Sequence, residues 1–413
     1  MTTSDLHSPQ TGWRTPLVVV LGGCIIAMIT FGPRASLGFF LTPLSQANGW
    51  GRDVFGLALA IQNLFWGVAQ PFAGALADRY GTTRVLSSGA IIYALGLAMM
   101  AYSRSPIALD LTAGVLIGFG LAGSSFYIVL AAIGKLVPDS WRSLAFGAGT
   151  AAGSFGQFLF SPLSVYLQDA FGWQTALVIF ALIMLLVLPF SLTLATRPTS
   201  TTARSDGPEP QSYWGALREA LTHRSYNLLV LGFFTCGFQL AFVTVHMPAY
   251  LSDRGLSAQV GGWTIAVIGL FNIIGSFTSG WLGNRTPKRY ILSVIYLVRA
   301  LAVAIFITFP VTPVSALVFG AVIGLMWLST VPPTNGLVVV MFGTRWLAML
   351  SGVVFLSHQI GGFLGVWIGG IAYERTGSYD LVWWLSVLFG VLSALINLPI
   401  VEKPITRLAP IRA

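Results

Sequence analysis

The sequence predicts an all-α membrane protein with twelve transmembrane helices in two pseudo-symmetric six-helix bundles and both termini in the cytoplasm. Three observations predict it: a composition too apolar for a soluble protein, twelve apolar runs, and basic residues concentrated on one side of those runs. Of the 413 residues, 55% are hydrophobic and 8% are charged, whereas a soluble domain is about 25% charged. So few charges cannot cover a soluble protein of this size, so we expect a lipid bilayer around most of its surface.

The apolar runs set the boundaries of the predicted helices. A helix needs about 20 mostly apolar residues to cross a bilayer. Runs of this kind lie at 16–42, 55–77, 85–103, 107–133, 144–168, 173–195, 226–250, 259–282, 289–309, 313–337, 347–373 and 380–400. The longest polar stretch lies between the sixth and seventh runs. We therefore predict an N-terminal bundle (1–196), a cytoplasmic linker (197–225), a C-terminal bundle (226–400) and a cytoplasmic tail (401–413).

The orientation follows from the lysines and arginines. One side of the predicted bundles, including the tails and the linker, holds sixteen of them, and the opposite side holds four: Arg52, Arg104, Arg254 and Arg375. The basic side of a membrane protein faces the cytoplasm. The polar residues 1–10 lack the features of a cleaved signal peptide. We expect a multi-pass protein of the cytoplasmic (inner) membrane.

Other classes of protein fit the sequence poorly. The net charge of +9 is scattered over short connections, which does not favour a nucleic-acid partner. The two cysteines form no metal-type cluster with other residues, and no nucleophile elbow or phosphate-binding loop is present. We therefore predict no enzyme activity, no cofactor and no metal, and we exclude an ATP-driven pump on this chain alone.

The two halves of the chain repeat a polar loop. Residues 74–84 (GALADRYGTTR) follow the second run, and residues 280–289 (GWLGNRTPKR) follow the eighth, 206 positions later. Duplication of this kind is typical of secondary transporters, which bind substrate near the bilayer midplane between the repeats.

These loops resemble the signature loop of the major facilitator superfamily, and the resemblance covers nearly the whole chain. It implies the twelve-helix major facilitator fold, a monomeric functional unit and transport by alternating access. It also implies that the loop residues make cytoplasmic contacts that break as the halves rock; these residues are Gly74, Asp78, Arg79, Gly81, Arg84 and Arg285.

Within the superfamily, residues 32–50, 237–250 and 357–380 resemble the bacterial branch of the monocarboxylate transporter and oxalate–formate exchanger group. Arg34 falls where monocarboxylate transporters carry a substrate-linked lysine. The chain departs from the group at Ser276, where an arginine usually clamps the carboxylate, although Asn272 retains the polar position one turn earlier. The lysine in the eleventh helix of oxalate exchangers is also missing, and His358 lies near its place.

Two arginines lie inside apolar runs. A charge at membrane depth is costly and marks a functional candidate. The acidic residues within the runs, Asp110 and Asp380, lie near run ends at the interface, so none is placed to pair with Arg34. We predict that its planar fork binds an anionic substrate; otherwise it binds backbone carbonyls or extends to the interface. Arg299, in the ninth run, either has a structural role or replaces the arginine missing at Ser276.

The remaining candidates are polar or aromatic. His246 and His358 titrate near neutral pH, so each is a candidate proton carrier or substrate donor, or simply bonds a neighbouring helix. Tyr127 and Trp327 resemble aromatic cavity positions of bacterial carriers. Together with Arg34, Asn272 and Arg299 they complete the predicted substrate site. Further cavity candidates are Gln62, Asn63, Gln157 and Gln239.

We therefore predict a secondary active transporter for a small, monocarboxylate-like organic anion, working by proton symport or by exchange (antiport). The alternative is an efflux permease for a toxic or drug-like compound. Efflux by proton exchange is less favoured, because no acidic residue lies in the middle of an apolar run.

Overall fold

The computed structural model describes residues 13–196, 213–343 and 346–405, and within these ranges it contains helices and no β-strand. Ten of its helical segments are long and apolar enough to cross a membrane. One of them, Ala145–Leu194, has 50 residues, which is too long for a single crossing. A left-handed residue, Gly172 at φ 80°, divides it into two spans. Arg52–Tyr80, with 29 residues, brings the total in the described part to twelve.

The twelve spans follow the predicted order. They are α1 (Pro16–Asn48), α2 (Arg52–Tyr80), α3 (Thr82–Met100), α4 (Pro106–Leu136), α5 (139–171), α6 (173–194), α7 (Arg224–Asp253), α8 (Ala258–Gly283), α9 (Lys288–Thr308), α10 (Pro313–Phe342), α11 (Leu347–Thr376) and α12 (Asp380–Asn397). The prediction of an all-α membrane protein is confirmed. Within the predicted linker, residues 213–222 form the short helix Tyr213–Thr222. Residues 197–212 of the linker lie outside the described residues.

Three spans depart from a continuous α-helix. α1 tightens into a 3₁₀ turn at Leu37–Phe40, directly after Pro33 and Arg34, and α4 contains a π-helical segment at Asp110–Leu116. α10 breaks between Met326 and Val331, two residues before Pro333. A broken helix leaves backbone groups unpaired, and within a membrane these groups must find partners in the protein.

The apolar side chains of the helices lie either in two buried clusters or on the outside of the bundle. One hydrophobic cluster draws mainly on residues 19–194 and a second mainly on 220–400. Large apolar side chains on the outside of the bundle remain exposed, among them Leu95, Leu182 and Leu301. Because these exposed side chains are apolar, the outer surface is suited to contact with lipid. The division at 197–225 stays a prediction, although the two clusters are what it leads one to expect.

The two halves meet where α2 packs against α11 and α5 against α8. We call the end at which α1 begins the inner end and the opposite end the outer end. At the outer end α2 and α11 are close: a Cβ added at Gly56 would lie 3.4 Å from the Gly370 Cα. At the inner end, a Cβ added at Gly74 of α2 or Gly352 of α11 would meet no atom within 4 Å. α2 and α11 are therefore in close contact at the outer end and more open at the inner end, whereas α5 and α8 stay in contact at the inner end, where a Cβ added at Gly147 would lie 3.0 Å from the Phe277 ring.

Candidate functional site

Arg34 lies in the last turn of the first α-helical part of α1, immediately after Pro33. Its Nη2 donates to Asn63 Oδ1 of α2 at 2.7 Å, and its guanidinium carbon lies 4.7 Å from the centre of the Trp66 ring. The Nε–H is buried and has no hydrogen-bond partner. Within the described residues no carboxylate pairs with Arg34. The arginine is thus positioned by one amide and one ring, and its fork retains unused donors.

Asn63 links Arg34 to the other half of the protein. Its Nδ2 donates to Leu59 O at 2.9 Å within α2, which orients Oδ1 toward Arg34. Its main-chain oxygen accepts from Gln359 Nε2 of α11 at 3.1 Å. Asn63 and Gln359 are both buried. A movement between α2 and α11 would therefore disturb the group that holds Arg34.

His358 precedes Gln359 and completes this network. Its Nδ1 lies 3.0 Å from Gln359 Oε1. Because the Gln359 amide nitrogen donates to Asn63, its oxygen is the acceptor, and the neutral imidazole carries its proton on Nδ1. The other ring nitrogen, Nε2, is then the basic one. The imidazole also stacks on Phe355, with ring centres 5.8 Å apart and planes 13° apart.

Three rings, Trp66, Tyr127 and Phe355, form what we call the aromatic wall beside Arg34. The Trp66 and Phe355 ring centres are 5.3 Å apart, and those of Phe355 and Tyr127 are also 5.3 Å apart, both in edge-on arrangements. Trp66 and Phe355 are 8% and 9% exposed, whereas Tyr127 is 39% exposed. The wall therefore runs from a buried end at Arg34 to an accessible end at Tyr127, and Phe355 of α11 is its member from the C-terminal half.

Hydrogen bonds fix the Trp66 ring. Its Nε1 donates to Gln70 Oε1 at 3.1 Å, and Gln70 Nε2 donates to Ser125 Oγ of α4 at 2.8 Å. Ser125 also caps the final helical part of α4, Phe126–Leu136. The element that carries Tyr127 therefore also positions Trp66.

Sequence reasoning missed Trp66 and Phe355. Both were visible as helical neighbours of residues that it did select: Trp66 follows Asn63 by three positions, and Phe355 precedes His358 by three. Residues three apart lie on one face of a helix. An aromatic residue in an apolar run is usually a core residue, so this spacing was the one available signal.

Asn272, Arg299 and Trp327 come together at the break in α10 rather than at the aromatic wall. Asn272 Oδ1 accepts the main-chain N–H of Leu328 at 2.9 Å, and its Nδ2 donates to Ser154 Oγ at 2.8 Å. Arg299 donates from Nε to Met326 O at 3.1 Å and from Nη2 to the main-chain oxygens of Met326 and Trp327. These bonds satisfy the backbone groups that the break leaves unpaired.

Ser276 belongs to the same arrangement. Its Oγ donates to Asn272 Oδ1 at 3.1 Å, so the position at which related carriers are expected to hold an arginine serves here to orient the asparagine. Arg299 is 1% exposed and keeps only Nη1 without a partner.

His246 lies toward the outer end of α7. Its Nε2 is 2.9 Å from Val366 O, a carbonyl that can only accept, so Nε2 donates and Nδ1 accepts from Tyr379 Oη at 3.3 Å. Tyr379 Oη in turn accepts from Arg52 Nη1 at 2.9 Å. His246 thus contacts a network at the outer end rather than Arg34.

That network, which we call the outer clamp, consists of Arg52, Asp253, Tyr373, Glu374 and Tyr379. Arg52 begins α2 and makes a two-pronged ion pair with Asp253 at the end of α7, at 2.6 and 2.7 Å. Its guanidinium carbon lies 3.7 Å from the centre of the Tyr373 ring, and its main-chain N–H donates to Glu374 Oε1 at 2.7 Å. One residue of the N-terminal half is therefore held by four of the C-terminal half.

The signature loop lies at the inner end. α2 ends at Tyr80, and Gly81 turns the chain at φ 91° into α3, where a Cβ would lie 3.0 Å from Thr196 O. Arg79 and Arg84 are exposed. Arg285, in the second copy, lies over the Trp281 ring at 4.0 Å. The side chain of Asp78 is outside the part that the structure describes, so its predicted contacts stay a prediction.

Comparison with known proteins places this architecture in a family. The profile described as Major Facilitator Superfamily matches residues 19–366. The uncharacterized MFS-type transporter YcxA of Bacillus subtilis is 27% identical over 96% of this chain and 97% of its own. Monocarboxylate transporter 13 of Rattus norvegicus is 25% identical over 90% of this chain and 85% of its own.

A solved structure has the same fold. The bacterial homologue of the human lysosomal transporter Spinster superposes with a TM-score of 0.74 at 17% identity, over 94% of this chain and 97% of that one. The chain therefore belongs to the Major Facilitator Superfamily, and it is a multi-pass membrane transporter of a small molecule, not an enzyme.

Proposed function

We propose that this protein carries a small organic monocarboxylate across the cytoplasmic membrane by alternating access. The observation that carries the proposal is the state of Arg34: a guanidinium in the middle of the fold, with a buried and unpartnered Nε–H and no carboxylate partner among the described residues. A buried cation without a counter-charge favours an anionic ligand, because an anion supplies both charge and acceptors. A carboxylate matches the planar fork in a two-pronged geometry.

One carboxylate is sufficient for this site. Arg299, which also lies in the middle of a span, donates to the main-chain oxygens of Met326 and Trp327. We propose that Arg299 and Asn272 hold the break in α10 and leave substrate binding to the group around Arg34. A dicarboxylate would then have a single cationic partner, which favours monocarboxylates.

His358 supplies a route to proton coupling. Its basic Nε2 belongs to the network that holds Arg34 through Gln359 and Asn63. Protonation of His358 would add a second positive charge to that network, so an anion and a proton would each favour binding of the other. We propose symport of the anion with a proton on this basis.

Alternating access follows from the ends of the bundle. The outer clamp closes one end, while α2 and α11 diverge at the other. The signature-loop arginines and the ends of the described chain, Trp13 and Ile405, lie at the inner end, which we propose faces the cytoplasm. The structure would then be the inward-open state of a monomeric carrier, with the signature-loop residues Arg79 and Arg84 free to make contacts in the opposite state.

A thermal-shift experiment on purified protein tests the proposal. A ligand that binds the folded state raises its stability according to its affinity, so lactate, pyruvate, aromatic acids, oxalate, and neutral and cationic drugs are compared. We expect stabilisation by monocarboxylates in the wild type and in the control Arg104→Gln, an exposed arginine at the outer end, and its loss in Arg34→Gln. Stabilisation by neutral or cationic compounds alone would refute the proposal and favour drug efflux.

A further inference from the structure

The aromatic wall goes beyond what an anion carrier requires. Acetate or lactate would occupy the Arg34 fork and leave the three rings without a function in binding. Tyr127 is 39% exposed, although it lies between the halves, in contact with Phe355 of α11, rather than on the outside of the bundle. Exposed aromatic surface within a transporter's opening indicates a ligand that covers it.

We propose that the substrate is an aromatic monocarboxylate, with a planar ring and a carboxylate joined by a short link, and that Tyr127 and Phe355 determine this selectivity. The proposal rests on the function proposed above, since the carboxylate is assigned to Arg34. It adds the rest of the substrate, namely a ring that lies against the aromatic wall between Arg34 and the accessible end at Tyr127.

The geometry of the wall suits a ring better than an alkyl chain. The Arg34 guanidinium covers Trp66, and Phe355 is buried, with one face stacked on His358. The open aromatic surface is therefore that of Tyr127, with Phe355 edge-on beside it at 67°. Aromatic rings prefer edge-to-face and offset contacts with such a surface, and these contacts add affinity beyond the buried area.

The charges around the wall exclude related ligands. An aromatic amino acid would bring an ammonium group, and among the described residues no carboxylate contacts Arg34 or the rings. The charged and titratable groups at the wall include Arg34, Tyr93, Tyr127, His358 and Cys236. Tyr93 interacts with Arg34, and Cys236 interacts with His358, Arg299 and Tyr127. A second cation in this place would be repelled, so the expected ligand is an anion and not a zwitterion.

The position of the wall also connects binding to movement. Phe355 belongs to the C-terminal half, and its partners Trp66 and Tyr127 belong to the N-terminal half. A ligand ring that inserts beside Phe355 replaces a ring contact between the halves with contacts of its own. Recognition of the ring therefore takes place where the halves must separate and close, which gives the ring a role in transport as well as in affinity.

Equilibrium binding to the full-length protein tests the proposal with four probes: phenylacetate, cyclohexylacetate, acetate and phenylalanine. For the wild type we expect phenylacetate to bind at least about 10-fold more tightly than acetate, from two ring contacts, and more tightly than cyclohexylacetate. Phenylalanine should not compete. Cyclohexylacetate as strong as phenylacetate would show an apolar site and overturn the aromatic assignment.

Two variants locate the selectivity. Tyr127→Leu and Phe355→Leu keep an apolar side chain, and each should weaken phenylacetate about 3- to 10-fold relative to acetate. Phe309→Leu, an exposed aromatic at the outer end of α9, is the matched control and should change neither. Melting temperatures confirm that each variant is folded.

The outcomes separate this proposal from the one on which it rests. Equal losses for phenylacetate and acetate in Tyr127→Leu and Phe355→Leu, or equal wild-type affinities for the two, would overturn the aromatic assignment and leave the anion site standing. Failure of every carboxylate to bind the wild type would instead overturn the proposed function itself.

Discussion

The outer clamp makes the conformational preference of the protein testable through one ion pair. Arg52 and Asp253 belong to different halves and are joined by two short charge-assisted hydrogen bonds, with side chains 13% and 30% exposed. Removing the charge of Asp253 should therefore weaken the closed outer end without touching the proposed substrate site. The variant is Asp253→Asn, which keeps the size of the side chain.

The expected magnitude lies between two limits. Fully exposed pairs contribute about 0.2–1 kcal/mol, and hydrogen bonds to charged groups contribute about 1.5–3 kcal/mol. Because this pair is partly exposed and two-pronged, we take about 1–2 kcal/mol, which corresponds to a 5- to 30-fold change in an equilibrium ratio. Arg52→Gln should have the larger effect, since Arg52 also contacts Tyr373 and Tyr379.

Double electron–electron resonance between spin labels at Arg104 and Phe309 measures this ratio. Both positions lie at the outer end, one in each half, and the native Cys24 and Cys236 are first replaced. We expect Asp253→Asn to shift the distance distribution toward the longer, outward-open separation. The matched control is Asp380→Asn, which removes an exposed 4.0 Å pair with Arg254 inside the C-terminal half and should leave the distribution unchanged.

Two results would refute this reasoning. One is a change of less than twofold in the ratio of outward-open to outward-closed protein in Asp253→Asn. The other is an equal shift in Asp380→Asn, which would indicate a general effect of net charge. The double variant Arg52→Gln/Asp253→Asn should be no more outward-open than Arg52→Gln alone, because the two residues act as one pair.

Three further predictions concern other sites. His358→Gln should uncouple anion binding from proton uptake: calorimetry in buffers of different ionisation enthalpy should show proton uptake with the anion in the wild type and none in the variant. Gly81→Ala should lower the melting temperature through strain of about 1–3 kcal/mol at φ 91°, whereas Gly74→Ala, within α2 and open to space, should raise stability by about 0.5–1 kcal/mol. Arg299→Gln should lose thermal stability, while Arg34→Gln should lose anion binding and remain folded.

Each of these has a contrary outcome. Anion binding by the wild type without proton uptake would remove His358 from coupling. Equal melting temperatures for the two glycine variants would remove the conformational argument at Gly81. An Arg299→Gln protein as stable as the wild type, but unable to bind the anion, would return Arg299 to the substrate site.

The scaffold was predictable because lipid imposes a simple rule on sequence. Every crossing must be a long apolar helix, so the twelve runs and their order were readable, and even Gly172 separates two runs at 168 and 173. Arg34 was predictable for the same reason: a charge in an apolar run is conspicuous. That Arg34 donates to the Asn63 side chain rather than to main-chain oxygens, however, depends on the side-chain packing of α1 against α2.

What the sequence could not provide was the partner of each polar group. Arg299 was as conspicuous as Arg34. Pro332 and Pro333 indicate a kink in α10, but they do not indicate that the main-chain oxygens of Met326 and Trp327 accept from Arg299. His246 and His358 were equivalent candidates by type, yet one bonds Tyr379 at the outer end and the other bonds Gln359 beside Arg34. Trp66 and Phe355 were indistinguishable from core aromatics until their contact across the halves was known.

If Arg34 binds the carboxylate of the substrate, then removing the charge of the arginine and removing the charge of the ligand should have coupled effects on affinity. A double-mutant-type cycle measures this coupling. Phenylacetate and its neutral isostere phenylacetamide are titrated into the wild type and Arg34→Gln. We expect a coupling of about 1.5–3 kcal/mol, so that the wild type prefers the acid roughly 10- to 150-fold more strongly than the variant does. Equal preferences in the two proteins would contradict it.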